Sequence, residues 1–301
     1  LNKIIDEKNV KVQYANKLIS SQEFTKDMNT SIFLSQKKKY EKQGIECISV
    51  RIPTETDLNI IKAKNEAFTL SDRLAWFQKE NGWDTDSVEM REFNDARHEV
   101  VKHVKKSNGQ IYYADYRSRY FNYINKSRVV LNLPKTFKNS IYLLGPCIVT
   151  SLFNQDKHTL GKYLQEFLNI NKMVYRVVPL GIPNDADRYY FFKTLSDFDI
   201  VEGDKIFLFD QTFRGSEWDL DLIDVFQKFY KSQGTDFYYD FPVHCGKECM
   251  KEIAKFIFEY INSNPNIEKK PSADNGEKIK ESKQEKCTFT GNPKLEQNPH
   301  P

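Results

Sequence analysis

A chain of 301 residues with 39% hydrophobic and 14% aromatic residues has ample material for a packed core, and room for two compact domains or one domain with extensions. Its 45 basic and 42 acidic residues are interspersed and leave a net charge of +3, which argues against a dedicated nucleic-acid binder with a basic stripe. No run approaches the roughly 18 consecutive apolar residues of a membrane span, and no signal peptide is visible.

In chain order, the start at Leu1 suggests a fragment or a processed product. The basic run Lys37–Tyr40 reads as a solvated helix face. "ECISVRIP", Glu46–Pro53, predicts one strand, and "DSVEMREFNDARHEVVKHVKK" predicts a long polar helix. "QIYYADYRSRYFNYIN" is unusually aromatic and fits a helix or a strand pair. Residues 1–135 are thus expected to form a mixed or mostly helical N-terminal region.

From residue 139 the pattern alternates cleanly. "IYLLG" is a strand, "TLGKYLQEFLNI" a helix and "MVYRVVPLG" a second strand. "DADRYYFFKTLSDF" reads as a helix opened by Asp185, and "DKIFLFD" as a third strand. "LDLIDVFQKFYKS" is a helix or a strand running into one, "DFYYDF" is extended, and "KECMKEIAKFIFEYI" is a closing helix. Strands separated by helical stretches predict βαβ units, hence an α/β domain over 136–262 with a parallel sheet and helices on both faces. Functional residues of such sheets sit on loops at the carboxyl ends of the strands. Beyond about Ser263 the chain is rich in Pro, Lys, Glu, Asn and Ser, and residues 263–301 are expected to be a disordered tail.

Five cysteines at irregular spacing suggest no disulfide framework, so a reducing, cytoplasmic setting is expected. Among them Cys147 has the most informative position, in "YLLGPCIVTS". It follows the first strand of the α/β region, with Gly145 before it to permit a tight turn. A cysteine there is either a small buried hydrophobe or a nucleophile presented beside backbone N–H groups.

"YYDFPVHCG" places Asp240 and His244 on one short loop before the closing helix, close enough for a carboxylate to orient an imidazole. The alternative is that His244 caps or packs on that helix. Gly181 and Asn184 in "VVPLGIPND" are candidate oxyanion donors, although a Gly/Pro loop with an Asp N-cap also accounts for them. "FLFDQTFRG" adds Asp210, Gln211 and Thr212 at the third strand end. His244, Cys245 and Cys249 lack a second ligand pair at zinc-site spacing, so no metal is expected, and Cys249 is expected to pack within its helix. With no phosphate-binding GxGxxG or GxxxxGK[ST] motif, no cofactor is expected either.

These residues resemble the SGNH (GDSL-type) hydrolase superfamily, in particular a variant branch associated with bacterial surface-polysaccharide biosynthesis. There a Gly-Asp-Ser motif after the first strand carries the nucleophile. A Gly and an Asn after the next two strands complete the oxyanion hole, and Asp-x-x-His before the last helix supplies acid and base. Gly145-Pro146-Cys147, Gly181, and Asp240 with His244 occupy the corresponding positions over residues 139–262. Cysteine replaces serine, Asp240 precedes His244 by four residues instead of three, and Gln211 is the nearest stand-in for the missing Asn.

The resemblance implies a three-layer, flavodoxin-like fold and an esterase or acyltransferase using a Cys147–His244–Asp240 triad. Gly145, Gly181, Asn184 and Gln211 would form the oxyanion and substrate site. The implied partner is a small-molecule or glycan substrate, an acylated carbohydrate or cell-envelope precursor. The alternative is an inactive binding or assembly protein with the same fold.

Overall fold

The computed structural model describes residues 21–52, 82–84, 86–107, 110–152, 154–182, 189–210, 222–225 and 246–263, with side chains at all of these except 21–30, 147, 189–191 and 222–224. Contacts divide the chain into two compact units, Leu1–Asn264 and Pro265–Pro301. The second unit, where the disordered tail is expected, lies outside the described residues.

The first unit is built on a parallel sheet of five strands: β1 (Glu46–Arg51), β7 (Asn139–Gly145), β8 (Tyr175–Gly181), β9 (Lys205–Asp210) and β10 (Leu222–Asp224), in the order β10-β1-β9-β7-β8. Every neighbouring pair is parallel. The expected α/β class therefore holds, with one addition. The sheet does not begin at residue 136, because β1 lies between β9 and β10, pairing Cys47 with Ile206 and Ser49 with Leu222. Four consecutive buried residues, Cys47–Val50, suit a strand covered on both faces.

Helices cover both faces. Alternate residues Tyr142, Leu144, Val178, Leu180, Ile206 and Leu208 meet Phe33 of α1 (Ser21–Glu41) and Phe192 with Leu195 of α5 (Tyr189–Leu195). On the other face lie α4 (Leu160–Ile170) and α6 (Lys247–Ser263), which pack on each other through Phe167 and Phe258, while Phe207 of β9 meets Tyr260 of α6 edge-on. Helix α4 starts where expected because Thr159 is its N-cap, accepting from the Lys162 N–H. In α6, Ile253, Ile257 and Ile261 are buried and Phe256 half-buried, as their helical spacing predicts. Of the Lys37–Tyr40 run, Lys38 and Lys39 are exposed, whereas Lys37 is buried and pairs with Glu41. The N-cap expected at Asp185 lies outside the described residues.

The aromatic segment resolves as strands, not a helix. Helix α2 (Val88–Lys102) runs into the hairpin β2 (Val104–Ser107)–β3 (Gln110–Tyr113). A three-stranded antiparallel sheet follows, β4 (Tyr116–Arg117), β5 (Asn122–Ile124) and β6 (Ser127–Arg128). Tyr113 of β3 with Tyr120, Phe121 and Tyr123 packs against Phe93 of α2 as a second core.

This unit also closes the β8 edge of the main sheet. The Ser127 hydroxyl donates to the Pro179 carbonyl, and Gln165 of α4 donates to the Tyr175 carbonyl and accepts from the Val177 N–H. Side chains thus occupy the outward groups of an edge strand that would otherwise invite another chain. Pro179, lacking an N–H, sits on that same outward register without loss.

Candidate active site

Strand order reverses at β7. The chain leaves it for β8 on one side and returns to β9 on the other, a switch point where parallel sheets form a crevice beyond their carboxyl ends. Cys147 is the first residue past that end but one. It opens the one-turn helix α3 (Cys147–Thr150), in which the Pro146 carbonyl accepts from the N–H groups of Val149 and Thr150. The expected position of Cys147 at the strand end is observed for its backbone. Its side chain lies outside the described ones.

Gly145 and Gly181 are needed for what they lack. A Cβ on Gly145 would lie 2.5 Å from the Phe209 Cβ, and one on Gly181 would lie 2.2 Å from the Thr150 Cγ2 and 2.8 Å from its Cα. Neither has the left-handed backbone of a tight turn. The two are register partners, and the Ile182 N–H donates to the Gly145 carbonyl at 2.8 Å. In a parallel ladder both backbone groups of a residue face one neighbour, so Gly145 spends its pair on β8. Gly181 then points its pair to the outer edge, away from β7. The ladder thus turns both glycine amides away from the crevice.

Asp210 ends β9 half-buried, and it stands in register with Arg51 at the end of β1. Asp240, His244, Asn184, Gln211, Thr212 and Cys245 lie outside the described residues. The chain reappears at Gly246, whose carbonyl accepts from the Met250 N–H in the first turn of α6. The Ser151 hydroxyl lies 3.8 Å from the Met250 sulfur. Ser151 follows Cys147 by four residues and Met250 follows His244 by six, so two sequence-distant segments meet at this end of the sheet.

Cys249, one residue before Met250, is buried and disulfide-bonded, its partner lying outside the described side chains. This corrects the expectation that it merely packs in its helix. It also removes the cysteine-based reason for expecting a reducing compartment. Irregular spacing hides a single bridge, because sequence separation carries no information about which thiols approach. Cys47, by contrast, is a free thiol in β1, pushed up to about 12 chiefly by burial, with Glu41 adding to the rise.

Comparison with protein-family models, curated proteins and solved structures finds no match for this chain.

Two residues that the sequence left without a role lie on segments flanking α3 in the chain. His158, half-buried in a 3-10 turn (Asp156–His158), has its Nδ1 2.8 Å from the Tyr163 hydroxyl. Burial foremost, then the charges of Lys157, Lys247 and Lys162, hold its imidazole down to about 4, so it is neutral at pH 7. The second feature is Arg128, buried against the turn that follows α3. Nothing in the sequence sets it apart from its charged neighbours Arg117, Arg119 and Lys126. Among the described residues no group of three His, Cys, Asp or Glu side chains could hold a metal, and no helix is long and apolar enough to cross a membrane.

Proposed function

We propose that this chain is an SGNH-like esterase or acyltransferase acting on an acylated carbohydrate or cell-envelope precursor. The observation that carries this reading is the contact between Ser151 and Met250, which joins the turn after Cys147 to the start of the helix that follows His244. The strand order β8-β7-β9 agrees with the 2-1-3 start of a flavodoxin-like sheet, and Cys147 stands at its switch point.

In this reading His244 takes the Cys147 thiol proton, and the thiolate adds to the acyl carbonyl. The C–O bond then breaks, with the alkoxide leaving as the alcohol on receiving the proton from His244. Water or a sugar hydroxyl attacks the resulting thioester, passes its proton through His244 and restores the thiol. Asp240 holds the imidazole tautomer. Asn184 and Gln211 remain the side-chain candidates for the oxyanion. Gly145 and Gly181 are spacers in this scheme, since the ladder turns their amides away.

The disulfide at Cys249 favours a second reading, in which a cysteine bridge stabilises a catalytically silent binding or assembly protein. One experiment separates the two. Aryl-ester hydrolysis by the reduced full chain is compared with Cys147→Ala and His244→Ala, and the Cys249 partner is identified by peptide mapping without reduction. Loss of turnover in both variants supports the triad. Equal rates, with Cys147 found bridged to Cys249, would leave only the binding protein.

A further inference from the structure

Arg128 is 1% exposed, among the largest fully buried side chains of the described chain. Its Nε donates to Asp156 Oδ1 at 2.8 Å. Its Nη1 donates to the Thr150 and Ser151 carbonyls, both at 2.5 Å, and its Nη2 to the carbonyls of Asn154 at 2.5 Å and Tyr120 at 3.4 Å. All five guanidinium N–H groups therefore have acceptors. The Tyr123 hydroxyl donates to the same Thr150 carbonyl at 3.1 Å, and the guanidinium lies 4.9 Å from the Phe121 ring centroid. Asp156 is held in turn by the Asn122 amide at 2.6 Å.

Three of the carbonyls belong to the turn that leaves α3. That turn is buried at Thr150, Ser151 and Asn154, and Ser151 adopts a left-handed φ of 51°. Buried carbonyls at a helix end need partners, and here one cation reaches three of them, with the Tyr123 hydroxyl and the Asn154 N–H as further donors to Thr150 and Ser151. A one-turn helix has little stability of its own. Helix α3 is therefore defined by its two ends, Pro146 at the close of β7 and Thr150–Ser151 on Arg128.

We infer that Arg128 is the positioning residue for Cys147, the antiparallel β4–β6 unit serving to deliver this guanidinium to the back of the turn. The inference rests on the proposed nucleophilic role of Cys147. A nucleophile displaced by about 1 Å loses roughly 10²-fold in rate without losing substrate affinity.

The test uses the reduced full chain, with kcat and KM for an aryl ester and the pH profile of iodoacetamide alkylation at Cys147. The variants are Arg128→Lys, Arg128→Met and the milder Tyr123→Phe, with Lys126→Met as the control. Lys126 of the same unit pairs with Asp197 and bonds Gln110. Folding is followed by thermal melting. Expected are kcat values about 10²-fold lower in Arg128→Met, partly recovered in Arg128→Lys, and several-fold lower in Tyr123→Phe. KM stays unchanged and the alkylation profile shifts, while Lys126→Met leaves all three quantities at wild type. Should Arg128→Met fail to fold, Tyr123→Phe and Arg128→Lys decide. Folded variants with wild-type kcat and alkylation profile overturn the positioning role. A wild type whose Cys147 is neither alkylated nor needed for turnover overturns the nucleophile itself, and this inference with it.

Discussion

Thr150 stands over Gly181 so closely that no side chain fits between them: an added Cβ would lie 2.2 Å from the Thr150 Cγ2 and 2.9 Å from its backbone nitrogen. This contact seats the helix that begins at Cys147 on the end of β8. Gly181→Ala is expected to destabilise the fold by about 1–3 kcal/mol through overpacking. Urea unfolding measures this; an unchanged midpoint would mean that α3 yields freely.

Asp156 neutralises the buried Arg128. Replacing it with Ala strands a cation in the interior, and a loss of about 3–5 kcal/mol is expected. The paired Asp156→Asn, which keeps an acceptor oxygen, should lose less. If both variants unfold at the wild-type denaturant concentration, the guanidinium is solvated after all.

Gln165 is fully buried and bonds the outward edge of β8 at Tyr175 and Val177. Gln165→Leu fills the same space but leaves the buried Val177 N–H without its acceptor, at a cost of about 1–3 kcal/mol. Amide hydrogen exchange at Val177 should accelerate in the variant; retained protection there would refute the edge-covering role.

His158 gives the fold a pH dependence. Its imidazole titrates at about 4 in the folded chain against an ordinary 6.5, so the unfolded chain binds the proton first. Its contribution to stability is complete above about pH 6.5 and declines as pH falls toward 4. His158→Gln cannot take up that proton, so its stability should fall less than that of wild type between pH 7 and 4.5. NMR titration of the ring with a midpoint near 6.5 would contradict this.

Burial holds the Cys47 thiol up to about 12. At pH 8.5 the native protein should leave Cys47 unlabelled by iodoacetamide, with full labelling only in denaturant. Mass mapping reads this directly. Rapid native labelling at Cys47 would show that β1 opens.

Local patterning sufficed for the elements. The β-branched run before Gly181, the Leu spacing of α4 and the Ile spacing of α6 each announce a strand or helix, since burial of one face requires that period whatever the partner. The seat of Cys147 at a strand end was legible for the same reason. The aromatic 110–124 segment was not, because rings every one to four residues satisfy both periods until Tyr123 and Phe93 are seen to share a core.

The amino-acid sequence by itself thus determined a parallel α/β sheet and a thiol at the carboxyl end of β7. Tertiary structure alone decided that β1 completes the sheet between β9 and β10, that Phe209 and Thr150 close in on Gly145 and Gly181 where no Cβ fits, and that Arg128 braces the turn behind Cys147. Each of these depends on which distant backbone group or side chain arrives at a given point. Periodicity is set by neighbours along the chain, whereas pairing register and buried charge are set by residues brought together only when the chain closes on itself.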